Sequence, residues 1–323
     1  MRVLVTGAAG FLGSRLVEAL LREPAGPSAP TSIIAIDRVP CPVIDDRVVH
    51  RVGPIDDPAC ADDLLRDEVD VVFHLAAVLS GEAEANFDVG FRVNVEATRR
   101  LLETCRRSAG APRFVFASTI AVFGGPLPAV VPEEMVLRPQ SSYGTEKAIA
   151  ELLVSEYSRK RFVDGITCRI ATVAVRPGRP NSALSSFVSG IIREPMAGEP
   201  SLCPVPLDTP LWVTGPSTVT ANLLHAARLP ADALGECRAL TLPGLTTTPA
   251  EMLESLERHG GASARALVRC ELDADVARVV QTWPGAFDVT RARALGFVGD
   301  RDVDAIVSAY VESLQPSSSE PAE

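Results

Sequence analysis

"VTGAAGFLGS", residues 5–14, decides how the rest of the chain is read. Gly7, Gly10 and Gly13 recur at three-residue intervals, after the apolar run RVLV and before the helical pattern FLGSRLVEALLRE. Glycine lets a strand turn sharply into a helix and lets a pyrophosphate approach the first helical N–H groups, where the dipole favours an anion. Ala9, Phe11 and Leu12 lie between the glycines and are placed against the same ligand. Downstream, SIIAID ends in Asp37, an acid positioned to accept the hydroxyls of an adenosine ribose and to repel a 2′-phosphate. The expected cofactor is therefore NAD, although Arg38 follows directly and would suit the phosphate.

Outward from this turn, short apolar runs alternate with helical patterns as far as about residue 180. RVLVTG, SIIAID, VVFHLAA, RFVFAST and GITCRIATVAV read as strands; DLLRDEVD, VGFRVNVEATRRLLETCRRSA and SSYGTEKAIAELL read as helices between them. That alternation predicts an α/β fold, a Rossmann-type doubly wound parallel sheet over residues 1–180. Beyond RPGRPNS, prolines at 195, 200, 204, 206, 210 and 216 interrupt the pattern. Helical stretches at 217–229, 248–260 and 302–314 predict a smaller, mostly helical C-terminal substrate lobe over 181–314, from which the chain is free to return to the first domain. The polar tail 315–323 is read as disordered.

Composition excludes several classes of function. A formal net charge of −10 and 5% aromatic residues argue against a nucleic-acid partner, which needs basic surface and stacking platforms. Seven cysteines, scattered and without Cys-x-x-Cys or Cys/His spacing, read as reduced thiols of a cytoplasmic protein with no metal site. No run of eighteen apolar residues is present, so no membrane span is expected. The opening apolar run is glycine-broken and flows into an amphipathic helix, so it is not read as a signal peptide.

Within SSYGTEKAIAELL, Tyr143 and Lys147 stand four apart and therefore on one helix face. A nearby ammonium is expected to lower the phenol's pKa by roughly one to three units and turn it into a base. FASTIAVFGG, just upstream, offers the hydroxyls of Ser118 and Thr119, able to donate to a substrate oxygen.

Taken together, the glycine triplet, HLAA at 74–77 and the Tyr143/Lys147 pair resemble the extended short-chain dehydrogenase/reductase family of epimerases and dehydratases. The resemblance implies that His74, Leu75, Ala76 and Ala77 line the dinucleotide and that Asn94 has a structural and cofactor-side role. It selects Thr119, three before Val122, as the catalytic hydroxyl with Tyr143 and Lys147, and leaves Ser118 nearer the cofactor. Pro54 stands where the family often has an acid for the adenine, so that contact falls to the Ile55 backbone or to Asp56. Phe123 replaces a tyrosine beside the site.

The implied reaction is oxidation of a secondary hydroxyl. Residues 181–216 offer only Arg193 and Trp212, with Arg179 just before them, which is thin for a nucleotide diphosphate and adequate for one carboxylate. The expected substrate is a small sugar acid, with Arg193 as its carboxylate partner. A nucleotide-sugar 4-epimerase or dehydratase and a non-catalytic NAD-binding regulator stay open as alternatives. The resemblance also implies a homodimer through the helices near 91–108 and 143–160.

Overall fold

The structure, a computed structural model, describes the chain apart from residues 27–28, 65–67, 109, 179–182 and 315–323, together with the side chains of 61–63. The tail expectation and Arg179 therefore lie outside the described residues.

The first half reads β1 (Arg2–Thr6), α1 (Phe11–Leu21), β2 (Ser32–Asp37), β3 (Val48–Val52), α2 (Pro58–Leu64), β4 (Val71–His74), α3 (Ser80–Ala85) and α4 (Phe87–Phe91). A π-helical turn, Arg92–Glu96, joins α4 to α5 (Ala97–Arg107), followed by β5 (Arg113–Thr119), a 3₁₀ turn at Ile120–Val122, α6 (Ser142–Arg159) and β6 (Asp164–Ile170). Next come β7 (Thr172–Val173), α7 (Ser186–Met196), β8 (Ser201–Cys203), β9 (Leu211–Thr214), α8 (Pro216–Arg228), β10 (Ala239–Thr241) and β11 (Leu245–Thr247). The chain ends with α9 (Pro249–Ala266), β12 (Val268–Cys270), α10 (Ala274–Val280), α11 (Thr290–Ala294) and α12 (Val303–Leu314).

Seven parallel strands form the main sheet in the order β10-β6-β5-β4-β1-β2-β3. The order reverses between β1 and β4, and in open α/β sheets ligands bind outside the strand ends at such a point. The buried side chains of α1 and α8 cover one face of the sheet with Leu16, Val17, Leu223 and Ala226. Leu101, Leu102, Ala150 and Val154 of α5 and α6 cover the other. Because both faces are covered, the strands read as continuous apolar runs such as VLVT and FVF.

The division near residue 180 separates architecture and not chain, because α8 and β10 return from the second half to extend the first domain. The second lobe has its own core, in which Ile191, Ile192, Met252, Leu256 and Val307 pack together. It is less purely helical than expected: β11-β9-β7 and β12-β8 form two small sheets. The helix expected in DLLRDEVD begins earlier, at Pro58, whose ring suits a first helical turn.

Candidate active site

Gly7 follows β1 with φ of +72°, a left-handed conformation in which an L side chain is strained. A Cβ at Gly13 would stand 2.0 Å from the Gly7 carbonyl oxygen, and one at Gly7 would stand 2.8 Å from the Ala76 nitrogen. These contacts show why glycine is required for the turn itself and for the approach of α1 to β1. Gly10 caps α1 without a side-chain hydrogen bond, and no acid stands in the first turn, so the positive helix end is left to an anion.

Asp37 lies across from this turn, its two oxygens accepting the Ala9 N–H at 3.0 Å and the Arg38 N–H at 2.7 Å. A carboxylate has further lone pairs, so these bonds fix its orientation while leaving capacity for two ribose hydroxyls. Ala9 thus reaches the site through its amide, donated to Asp37. Asp56 is already committed: its carboxylate accepts from Arg92 Nε at 2.7 Å, which holds it below the usual carboxylate range. Ile55 lines the cleft between Pro54 and Asp56.

Three polar side chains behind the cradle, Thr98, His74 and Thr6, form an assignable chain. Thr98 donates its hydroxyl to the Asn94 carbonyl at 2.8 Å, so His74 Nε2 donates to Thr98 Oγ1 at 2.8 Å. His74 Nδ1 must then accept the Thr6 hydroxyl at 2.7 Å, while Thr6 Oγ1 accepts the Ala76 N–H at 3.2 Å. Burial drives the His74 pKa down to about 3, and Lys147 adds to the effect, so the ring is neutral. His74 therefore fixes the 75–77 loop from behind, whereas Leu75, Ala76 and Ala77 face the cleft. Asn94 has the structural part of its expected role: buried, it exchanges hydrogen bonds with both backbone groups of Val78 and donates to Glu146, set back from the residues that line the cleft.

β5 and α6 bring the reactive groups to the same place. Thr119 Oγ1 accepts the Ala121 N–H at 3.1 Å, which leaves its own proton to donate into the cleft. Ser118 lines the same wall; its hydroxyl donates to Glu151, which leaves its oxygen towards the cleft as an acceptor. Lys147, 2% exposed, donates to the Ala117 carbonyl at 2.9 Å, with Nζ 4.6 Å from the centre of the Phe116 ring and 5.9 Å from that of Tyr143. Burial lowers the ammonium to about 8. Burial and the neighbouring Glu146 raise the Tyr143 phenol to about 12, the reverse of the lowering expected from Lys147 alone.

Gly7, Gly10, Asp37, Ile55, Thr119, Tyr143 and Lys147 all line one cleft of about 1280 Å³. Trp212 joins them from the second lobe, its ring tilted against that of Phe287, which also meets Phe123. Arg193 does not line it. Its guanidinium is buried against the Arg176 carbonyl, at 2.8 Å, and the Glu194 carboxylate, so the expected carboxylate contact is corrected. The cleft-lining arginine closest to Arg193 in sequence is Arg176, which the sequence reading missed.

The sequence model of the NAD dependent epimerase/dehydratase family matches residues 3–226. The chain belongs to that family. NAD is accordingly its cofactor, and the glycine cradle and Asp37 supply the groups to hold it. The D-erythronate dehydrogenase of Cupriavidus necator is 47% identical over 318 residues, covering 97% of this chain and 98% of that protein. The D-erythronate dehydrogenase of Haemophilus influenzae is 40% identical over 312 residues, covering 97% and 99%. A solved structure described as a nucleoside-diphosphate-sugar epimerase from Agrobacterium tumefaciens superposes with a TM-score of 0.92 at 38% identity, covering 97% of this chain and 94% of that one.

Proposed function

We propose that this chain is an NAD-dependent dehydrogenase that oxidises the C2 hydroxyl of D-erythronate to 2-keto-D-erythronate, a step of carbohydrate metabolism. The observation that carries the reading is the convergence of Thr119, Tyr143 and Lys147 on the cleft that also holds the glycine cradle. The relatives at 47% and 40% identity support the substrate.

In this reading Thr119 donates its hydroxyl proton to the substrate oxygen and fixes it beside Tyr143. Tyr143 takes the proton of that hydroxyl as general base. Lys147 presents a buried ammonium with two N–H groups beyond the one given to Ala117, enough to bind a ribose hydroxyl and to balance the phenolate. Bound NAD supplies the hydride acceptor and a positive charge that favours the phenolate. Lys147 is therefore needed for its charge and for its place at the end of β5.

A nucleotide-sugar epimerase is the second reading, favoured by the likeness to the Agrobacterium structure. The described cleft residues speak for the acid: of Arg38, Arg92, Lys147 and Arg176, Arg92 is paired with Asp56, Lys147 sits beside Tyr143, and Arg38 adjoins the ribose acid Asp37. That leaves one cation on the second-lobe side, suited to a single carboxylate. A regulator without catalysis would have no use for both Tyr143 and Lys147. Among the described residues no disulfide is formed, which supports a cytoplasmic protein. Exposed Phe87 and Leu152, on α4 and α6, support a homodimer through those helices.

The test is NADH formation with D-erythronate, other four- and five-carbon aldonic acids, and UDP-sugars. The expected outcome is turnover of D-erythronate, abolished in Tyr143→Phe with NAD affinity kept within about threefold. Epimerisation of a UDP-sugar without net NADH release would reject the proposal, and more than a few per cent activity in Tyr143→Phe would remove the tyrosine from its role.

A further inference from the structure

We infer that Arg176 is the residue that binds the substrate carboxylate, an assignment resting on the sugar-acid reading above. Arg176 lines the cleft on the side of the second lobe, near Thr172, Ser185 and Trp212. It is half-buried, and among the described residues no carboxylate pairs with it. Glu194, the acid that follows Arg193 on α7, pairs with Arg193. Burial lowers the Arg176 pKa, and the neighbouring charge of Arg193 lowers it further, an excess of positive charge on this side of the cleft. An anion entering the cleft relieves that imbalance, and a guanidinium fork accepts a carboxylate bidentately.

The mount of this arginine is the second observation. Its N–H donates to Ser189 Oγ at 3.1 Å, and its carbonyl accepts from Arg193 at 2.8 Å. Both partners belong to α7, where Ser189 is fully buried and Arg193 is 6% exposed. The backbone of Arg176 is thus fastened at both polar groups while its side chain carries no internal ion pair among the described residues. A fixed base with an uncommitted charged end is the arrangement a binding residue needs, since little further ordering accompanies ligand capture. Arg193 becomes the positioning residue: it secures the carbonyl of Arg176, and its charge raises the demand for an anion. One carboxylate at Arg176 leaves its adjacent hydroxyl to be presented towards Thr119 and Tyr143, whereas a nucleotide diphosphate would call for several cations there.

The experiment compares the parent with Arg176→Gln and Arg176→Lys, measuring D-erythronate kinetics at saturating NAD, D-erythronate affinity by calorimetry, NAD affinity and melting temperature. In Arg176→Gln, kcat/KM is expected to fall about 10²- to 10³-fold, chiefly through KM, as charge-assisted hydrogen bonds are lost. Calorimetric affinity should fall in parallel, with NAD affinity kept within about twofold and melting within a few degrees. Arg176→Lys should recover part of the loss by keeping the charge without the fork. A KM within threefold of the parent in Arg176→Gln overturns the assignment, as does a loss of NAD affinity as large as that of substrate. A parent that does not oxidise D-erythronate overturns the proposed function and this assignment with it. A parent that does so beside an unaffected Arg176→Gln overturns only the role of Arg176.

Discussion

At Lys147 a protonated ammonium is kept in a site 2% exposed, and burial lowers its pKa from the ordinary 10.5 to about 8. The sign of its effect on stability follows from proton counts. Between pH 8 and 10.5 the unfolded chain binds more protons at this lysine than the folded chain, so stability rises with pH across that window. Tyr143 acts oppositely and later: with its pKa raised from 10 to about 12, its contribution is complete below pH 10 and is lost between 10 and 12. From pH 8 to 10 Tyr143 is silent, while the buried thiols of Cys105 and Cys168, raised from 9.0 to about 12, lose stability above pH 9 equally in parent and variant, so the comparison of the two proteins isolates the lysine. Unfolding free energies from urea titrations of the apoprotein should rise over that range by about 1–2 kcal/mol more in the parent than in Lys147→Met, which cannot titrate. Parallel curves for the two proteins would show that the buried charge carries no such cost.

Between α6 and the sheet, Glu151 is the connecting residue. It accepts from Arg169 of β6 at 2.7 Å and from the hydroxyl of Ser118 on β5, with side-chain exposures of 3% and 8% for the ion pair. Removing the carboxylate leaves a guanidinium buried without a partner, so Glu151→Ala should lose about 3–5 kcal/mol of unfolding free energy, read by urea denaturation. A loss under 1 kcal/mol would mean that water or rearrangement satisfies Arg169. How far such elements can be read from sequence depends on where their determinants lie. β1, β2 and β5 are legible because each is a compact apolar run buried on both faces and bounded by a turn signal. β3, VVHRV, escapes because it is an edge strand whose last three residues are exposed, so polar side chains break the run. β10 escapes because three residues carry no periodicity, and only a long excursion through the second lobe brings them beside β6. Thr119, Tyr143 and Lys147 are legible because two adjacent elements carry them in fixed spacing. Arg193 and Arg176 are not, because a helix-end cation and a loop cation look alike until α7 buries one and presents the other.

On the scale of the whole molecule, α4 and α6 each leave a large apolar side chain exposed. Leu152 is 68% exposed on α6, and Phe87 is 61% exposed on α4, stacked on Phe91 at 5.9 Å. α6 is also the helix that carries Tyr143 and Lys147, so whatever covers its outer face restrains the catalytic side. A two-fold contact through this face would bury both side chains against their own copies, and each fully buried residue of this size contributes about 1.5–3 kcal/mol. Substituting a charge there should act on association and leave the fold intact, because Leu152 contributes little to the monomer's own core. Sedimentation at micromolar concentration should therefore give a two-chain mass for the parent and a one-chain mass for Leu152→Glu, with melting of the isolated chain altered little. A one-chain mass for the parent would reject the dimer. A two-chain mass in both proteins would move the interface away from Leu152.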